Sequence, residues 1–192
     1  MEPKIKLYND TGQRLYVNTD ERQRYYEAIR DFYSVDRMYL AMLYWTGCRL
    51  SEPLNILPQH IDLSEKCVLI NTLKQRRKDI FRKVPIPDTF LNELELVFEL
   101  RKRQQSTSKE PLWSSSRRTH HRYVKTAMTK AKITGAQASA KGLRHGFAVH
   151  CVLNQIPLPT LQKWMGHASM ETTAIYLQVS GREERELAGR IW

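Results

Sequence analysis

Five side chains in separate stretches of the sequence have the chemistry needed to hold a phosphodiester and attack it. An arginine binds phosphate well because its planar guanidinium donates two parallel hydrogen bonds and stays charged at any relevant pH. A tyrosine hydroxyl can attack the phosphorus covalently, and a lysine can protonate the departing oxygen. The candidates for these tasks are Arg49, Lys74, Arg144, His167 and Tyr176.

The residues around these candidates carry a more specific signal. Residues 46–52 read Thr-Gly-Cys-Arg-Leu-Ser-Glu, and residues 141–146 read Lys-Gly-Leu-Arg-His-Gly. A Gly-His pair at 166–167 is followed by Thr-Thr-Ala-Ile-Tyr at 172–176. In order and spacing, these segments resemble the arginine, histidine and tyrosine motifs of the tyrosine recombinases, the phage-integrase family.

The resemblance implies a reaction and a role for each residue. Tyr176 is expected to form a 3′-phosphotyrosyl link to DNA and to free a 5′-hydroxyl, so that resealing needs neither ATP nor a metal cofactor. Arg49, Arg144 and His167 are expected to bind the non-bridging oxygens. Glu52 lies one helical turn after Arg49 and is expected to orient its guanidinium.

Two proton-transfer roles stay open at the level of sequence. The family places its general-acid lysine soon after the first strand, which favours Lys74, but Lys78 lies in the same loop. The family usually has histidine three residues before the second arginine, where this chain has Lys141. Lys141 is counted among the catalytic candidates because it can donate a hydrogen bond to the phosphate. It can serve as a general base only with a lowered pKa, so the proton acceptor for Tyr176 is undetermined. The adjacent His145 has a packing role in the family more often than a chemical one.

The charge of the chain indicates a polyanionic partner. The formal net charge is +11, and a surplus of that size favours nucleic acid over a merely basic surface because the excess is clustered. Residues 74–83 contain six Lys or Arg and one acid, and residues 101–132 contain ten and one. The predicted contacts to double-stranded DNA are Arg76, Arg77, Lys78, Arg118, Arg122 and Lys125.

Several classes of protein are disfavoured by the composition. Three cysteines without paired spacing indicate reduced thiols rather than a disulfide framework or a structural zinc site. The longest apolar run is too short to cross a bilayer, and the N-terminus lacks the apolar segment of a signal peptide. We therefore predict no metal, no membrane partner and a place in the reducing cytoplasm. The resemblance implies a prokaryotic cell and its nucleoid or plasmid DNA.

The predicted fold is α+β, mainly α-helical, with one small antiparallel sheet. Residues 4–18 suggest two short strands around a turn, and Thr19 a helix cap. Helices are predicted over about 19–33 and 35–45, with Gly47 ending the second. Residues 67–72 and 80–86 read as a hairpin, ended or confined to an edge by its prolines. The later helices are predicted from Asp88 as a cap, over 116–132, from about Lys141, and in short pieces to about 177.

These elements suggest a division into residues 1–18 as a leader, 19–180 as the catalytic domain and 181–192 as an amphipathic helix. In that helix Leu187, Ile191 and Trp192 are the apolar positions. The resemblance implies that this helix is exchanged between subunits of a homotetramer on DNA, and it leaves room for an accessory protein or a second recombinase.

The short leader suggests either a naturally short recombinase of a mobile genetic element or a fragment. Two other functions are weighed against recombination: a DNA-binding regulator that keeps the fold without the chemistry, and a type IB topoisomerase-like relaxing enzyme.

Overall fold

The computed structural model describes residues 6–72, 80–179, 184–185, 188–189 and 191. Eight α-helices and a three-stranded sheet lie in this part of the chain. The helices are α1 Thr19–Ala28, α2 Ser34–Thr46, α3 Asp88–Phe98, α4 Leu100–Gln105, α5 Arg117–Lys130, α6 Ala140–Leu153, α7 Leu158–Met165 and α8 Met170–Ala174. Short 3₁₀ turns at Ile29–Asp31, Pro53–Asn55, Pro58–His60 and Ile175–Gln178 complete the helical part.

The sheet is antiparallel, in the order β1 Ile61–Asp62, β2 Cys67–Asn71 and β3 Phe81–Pro85. The predicted hairpin is confirmed: Val68 pairs with Val84 and Asn71 with Phe81. β3 is an edge strand that ends at Pro85, as its prolines require. The two-residue strand β1 was not predicted, because two residues carry no readable alternation.

The predicted α+β class, mainly helical with a small antiparallel sheet, is confirmed. A main apolar core lies between α1, α2, the sheet, α3 and α5, and a smaller one contains Tyr16, Phe147, Leu161, Met165 and Tyr176. Helix α6 joins the two, since its Leu143 packs in the first core and its Phe147 in the second. Cys48 and Cys151 are buried free thiols within these cores, and Cys67 is a buried free thiol in β2.

Two predicted helix caps were wrong by one residue. Asn18, not Thr19, caps α1: its side chain accepts from the Glu21 amide, and the Glu21 carboxylate accepts from the Asn18 amide. This reciprocal pair satisfies two backbone donors, which makes Asn18 the better cap. Pro87 precedes α3, and Asp88 is its first residue, where its charge still suits the positive helix end.

The N-terminal segment makes a turn but no named strands over residues 6–18. One antiparallel bridge joins Tyr8 and Arg14, and the Asn9 side chain accepts from the Gln13 amide across the turn. Beyond that bridge the chain packs on α6 instead of continuing a hairpin. The Val17 amide donates to the Gly142 carbonyl, and Tyr16 and Val17 are fully buried.

Part of the chain lies outside this description. The predicted loop residues Lys74, Arg76, Arg77 and Lys78 fall outside the described residues, as do Leu187 and Trp192. Backbone at residues 184–185 and 188 is helical, and Ile191 is exposed. No helix in the described ranges is long and apolar enough to cross a membrane.

We predict that Gly47→Ala destabilises the fold more than Gly12→Ala. Both glycines have a positive φ, 58° and 76°, so an added Cβ costs each about 1–2 kcal/mol. At Gly47 the Cβ would also lie 2.3 Å from Phe147 Cδ1, whereas at Gly12 nothing lies within 4 Å. Overpacking adds about 1–3 kcal/mol to the loss at Gly47. Urea denaturation of both variants measures this difference, and equal losses would contradict it.

Candidate active site

Arg49 is positioned by the end of α2 and by Glu52. The helix ends at Gly47 in the left-handed conformation, which turns the chain so that Cys48 is buried and Arg49 half-buried. The Glu52 carboxylate then accepts from the Arg49 backbone amide at 2.7 Å and from Arg49 Nη1 at 2.9 Å. The Glu52–Arg49 contact expected from sequence is therefore present.

Glu52 is also held by Arg82, a residue to which the sequence analysis gave no role. Arg82 Nη2 and Nη1 donate to the Glu52 carboxylate at 2.6 and 3.3 Å. Burial alone would raise the pKa of Glu52, but the charge and hydrogen bonds of Arg82, with the charge of Arg144, hold it below its usual value. Glu52 is thus a buried carboxylate that stays ionised beside two arginines.

Arg82 links three segments of the fold. Besides Glu52, it donates to Thr72 Oγ1 at 3.1 Å at the end of the hairpin, and to the Trp164 carbonyl at 2.7 Å in α7. The strand alternation held a signal for this role, since Arg82 shares the buried face of β3 with Val84. A charged residue at an inward strand position indicates a buried partner.

Arg144 projects from α6 and joins the segment before Arg49 to the segment before His167. Its Nη1 donates to the Gly47 carbonyl at 2.7 Å and its Nη2 to the Met165 carbonyl at 2.6 Å. Burial, followed by the charge of Arg49, lowers the pKa of Arg144 to about 10, so the guanidinium remains charged at neutral pH. The two arginines are therefore near enough for the charge of one to act on the other.

His167 follows the left-handed Gly166 that ends α7. Its Nδ1 lies 3.0 Å from Thr173 Oγ1, and its Nε2 is buried without a hydrogen-bond partner among the described residues. Burial, together with the charges of Arg144 and Arg49, lowers the pKa of His167 to about 3, which makes the ring neutral. If Thr173 donates to Nδ1, the Nε2–H is a buried donor without a partner among the described residues.

Tyr176 lies in the 3₁₀ turn Ile175–Gln178 and is fully buried. Its ring stacks near that of His167, with centroids 6.2 Å apart, and its hydroxyl lies 2.8 Å from His145 Nδ1. Burial raises the pKa of Tyr176 to about 12, although the charges of Arg144 and Arg49 pull it down. The structure thus gathers Arg49, Arg144, His167 and Tyr176, with Glu52 behind Arg49.

The described residues do not place the remaining candidates in this cluster. Lys141 is exposed at the start of α6 and makes no side-chain hydrogen bond or ion pair within the described part of the chain. Lys74 and Lys78 cannot be placed, since they fall outside it. Arg118, Arg122 and Lys125 are exposed on α5, where Lys125 donates to the Ala138 carbonyl at 2.6 Å. Within the described part of the chain, no group of three His, Cys, Asp or Glu side chains could hold a metal ion.

A mainly helical domain with a small antiparallel sheet, in which two arginines, a histidine and a tyrosine converge, defines the class of the tyrosine recombinase catalytic domain. Comparison with known sequences gives the family. The Phage integrase family model matches residues 15–183, and the chain belongs to that family.

Individual relatives agree with this assignment. Tyrosine recombinase XerA of Pyrococcus furiosus is 33% identical over 161 residues, which cover 81% of this chain and 54% of that protein. A resolvase of Escherichia coli K12 is 29% identical over 74% of this chain and 64% of that protein. The chain therefore spans roughly half to two thirds of the length of these curated relatives.

Solved structures show the same fold. A crystal structure of XerA recombinase has a TM-score of 0.78 at 24% identity, covering 93% of this chain and 65% of that one. XerH recombinase bound to its difH substrate before cleavage has a TM-score of 0.73 at 20% identity, covering 96% and 59%. The catalytic domain of bacteriophage HP1 integrase has a TM-score of 0.65 at 18% identity, covering 92% and 95%.

We predict that Arg82→Met lowers the free energy of unfolding by about 3–5 kcal/mol, because it leaves part of the buried Glu52 charge uncompensated. Lys66→Met is the matched control: it removes an exposed ion pair with Asp88 at 2.7 Å, which is worth less than about 1 kcal/mol. Urea denaturation near neutral pH compares the two variants. Similar small losses would show that Glu52 does not depend on Arg82.

Proposed function

We propose that this chain is the catalytic part of a site-specific recombinase that cuts and rejoins double-stranded DNA through a 3′-phosphotyrosyl intermediate. One observation carries the proposal: the ring of the buried Tyr176 stacks near that of His167, with centroids 6.2 Å apart, and, against the rise caused by burial, the charges of Arg144 and Arg49, from distant segments, lower the pKa of its hydroxyl. A phosphodiester held between those arginines would lie beside the hydroxyl that is proposed to attack it.

The proposed reaction assigns a task to each member of the cluster. Arg49 and Arg144 bind the non-bridging oxygens, whose charge grows in the transition state, and His167 donates its Nε2–H to one of them. Tyr176 Oη attacks the phosphorus as the bond to the 5′-oxygen breaks. Lys74 or Lys78 supplies the proton that the 5′-oxygen takes up. Glu52 fixes the guanidinium of Arg49 without touching DNA.

The burial of Tyr176 implies that DNA binding precedes chemistry. The side chain has no exposed surface in the DNA-free chain, so segments that cover it must be displaced before a phosphodiester reaches the hydroxyl. Cleavage limited to bound DNA would protect the cell from unguided strand breaks. The preference for a specific site over general relaxation of DNA is part of the proposal.

The exposed basic face of α5 is the proposed DNA contact within the described residues. Arg118, Arg122 and Lys125 point away from the buried residues Val124, Ala127 and Met128 of the same helix. The DNA complex of XerH, whose fold this chain shares, supports DNA as the partner. Lys141 would lie at the edge of the same surface, with a phosphate contact as its simplest role. Arg76, Arg77 and Lys78 are proposed to track the backbone from the loop.

The assembly is proposed on the family resemblance and on the apolar character of the C-terminal residues. In this proposal residues 181–192 form a helix that docks on a neighbouring subunit, and four subunits hold two DNA sites. Residues 19–180 would be the catalytic domain and residues 1–18 its leader. An accessory protein or a second recombinase is compatible with this arrangement, as is action on prokaryotic nucleoid or plasmid DNA.

We predict that the chain forms a covalent adduct with nicked suicide duplexes taken from the DNA that flanks its gene. On a denaturing gel the wild-type chain shifts to a protein–DNA band, and Tyr176→Phe abolishes it because the attacking hydroxyl is gone. Tyr25→Phe is the matched control, since Tyr25 is also fully buried and its hydroxyl has no partner among the described residues. DNA binding without an adduct would favour a regulator, and relaxation of any supercoiled DNA a topoisomerase.

We predict that Arg122→Ala lowers the dependence of DNA affinity on salt. Each phosphate contact that is lost reduces the slope of log K against log salt by about one unit. Lys102→Ala is the control, because Lys102 is an exposed cation on α4 that is paired with Glu99 at 3.3 Å. Fluorescence anisotropy over a salt series measures both slopes. Equal slopes for the two variants would remove α5 from the DNA interface.

A further inference from the structure

The hydroxyl of Tyr176 has one hydrogen-bond partner within the described residues, and it is His145. The distance from Oη to His145 Nδ1 is 2.8 Å, and the ring centroids lie 5.7 Å apart. Tyr176 is fully buried and His145 is 2% exposed. The reacting oxygen therefore bonds to an imidazole in a place where bulk water does not compete.

The hydrogen-bond pattern assigns the direction of this bond. If Nδ1 accepts the Tyr176 proton, the Nε2–H of His145 is left without a partner among the described residues. If Nδ1–H donates instead, both the Tyr176 hydroxyl proton and the Nε2 lone pair are left unmatched. Each unmatched buried polar group costs free energy, so the pattern favours Tyr176 as donor and Nδ1 as acceptor.

Lys141, which occupies the position of the usual family histidine, is less suited to take this proton. It is exposed, and its ammonium has three donors and no lone pair unless it first loses a proton. It lies one helical turn before His145 on α6. Burial, followed by the charges of Lys141 and Arg144, lowers the pKa of His145 to about 3, so the imidazole is neutral and has a lone pair available.

We propose that His145 is a catalytic residue, the proton acceptor for Tyr176, and this inference rests on the proposed function. As the bond from Tyr176 Oη to phosphorus forms and the bond from phosphorus to the 5′-oxygen breaks, the phenolic proton passes to His145 Nδ1. The 5′-oxygen takes its proton from the loop lysine. Rejoining runs in reverse: the 5′-hydroxyl attacks the phosphotyrosine, its proton returns to the lysine, and imidazolium returns its proton to the tyrosine.

The incoming phosphodiester supplies the charge balance that this transfer needs. In the DNA-free site the cations Arg144 and Lys141 oppose a second positive charge on His145. A phosphodiester bound to Arg49 and Arg144 brings a negative charge beside them, and that charge favours imidazolium. The phenol also loses its proton more readily as its oxygen bonds to phosphorus. Proton transfer is therefore coupled to a substrate in place.

The first test needs no cleavage. In the free protein labelled with ¹⁵N-histidine, His145→Asn identifies the signals of His145 among the six histidines. We expect Nδ1 to resonate as an unprotonated nitrogen that accepts a hydrogen bond, and to shift in Tyr176→Phe. A protonated Nδ1, or no change in Tyr176→Phe, would overturn the inference whether or not the chain cleaves DNA.

The second test measures single-turnover cleavage of the suicide duplex on which the wild-type chain forms its adduct. Asn at position 145 can accept the Tyr176 hydrogen bond but cannot take the proton, so His145→Asn is expected to lose about 100-fold or more in rate while it still binds DNA. His150→Asn, at an exposed position of the same helix, is the matched control. Lys141→Ala removes a proposed phosphate contact but leaves the acceptor in place, so it is expected to lose less rate than His145→Asn.

A duplex with sulfur in place of the scissile 5′-oxygen distinguishes the two proton transfers. Because a 5′-thiolate leaves without protonation, this duplex is expected to restore cleavage by a variant that lacks the general-acid lysine. It is not expected to restore cleavage by His145→Asn. Rescue of His145→Asn would show that His145 acts on the leaving 5′-oxygen and not on Tyr176. Unchanged or faster cleavage by His145→Asn would mean that His145 only holds the resting tyrosine in place. A loss of cleavage rate in Lys141→Ala alone would make Lys141 the proton acceptor. An absent wild-type adduct counts against the proposed function and leaves the nitrogen measurement to decide on His145.

Discussion

The site depends on one buried carboxylate, Glu52, and on the arginines that it holds. Through Glu52, the end of α2 that carries Arg49 is fixed to β3, which carries Arg82. Arg82 in turn fixes the hairpin to the Trp164 carbonyl in α7. A buried charge with excellent geometry strongly resists the removal of either partner. The positions of the arginine, the hairpin and the histidine segment are therefore set by one network rather than by separate loops.

Arg144 completes this frame with two backbone contacts. By donating to the Gly47 and Met165 carbonyls, it connects the segment before Arg49 with the segment before His167. The guanidiniums of Arg49 and Arg144 thus use some of their N–H donors in contacts within the fold. Their positive charge still acts on an anion. Groups fixed in this way need no reorganisation when charge develops on a bound phosphate, which is the condition for strong electrostatic stabilisation.

The sequence predicted the parts of this site that lie in short motifs. Characteristic spacing within such segments identified Gly47, the two arginines, Gly166-His167 and Tyr176. The hairpin was readable from its apolar alternation and its prolines. Arg82 and His145 were not assigned, because their roles arise from partners 30 and 31 residues away. Periodicity can show that a charged residue faces inward, but it does not name the residue it meets.

Opposing electrostatic demands explain why two neutral histidines flank the tyrosine. A phosphate site needs fixed positive charge, yet more cations near Arg49 and Arg144 would repel one another in a buried space. His167 and His145 resolve this conflict, since burial and neighbouring positive charges keep both rings uncharged. One ring has a buried nitrogen without a partner among the described residues, and the other contacts the hydroxyl of Tyr176. Burial raises the pKa of that hydroxyl, so the resting tyrosine stays protonated. In the proposed reaction it becomes a nucleophile only where a bound phosphodiester changes the balance of charge.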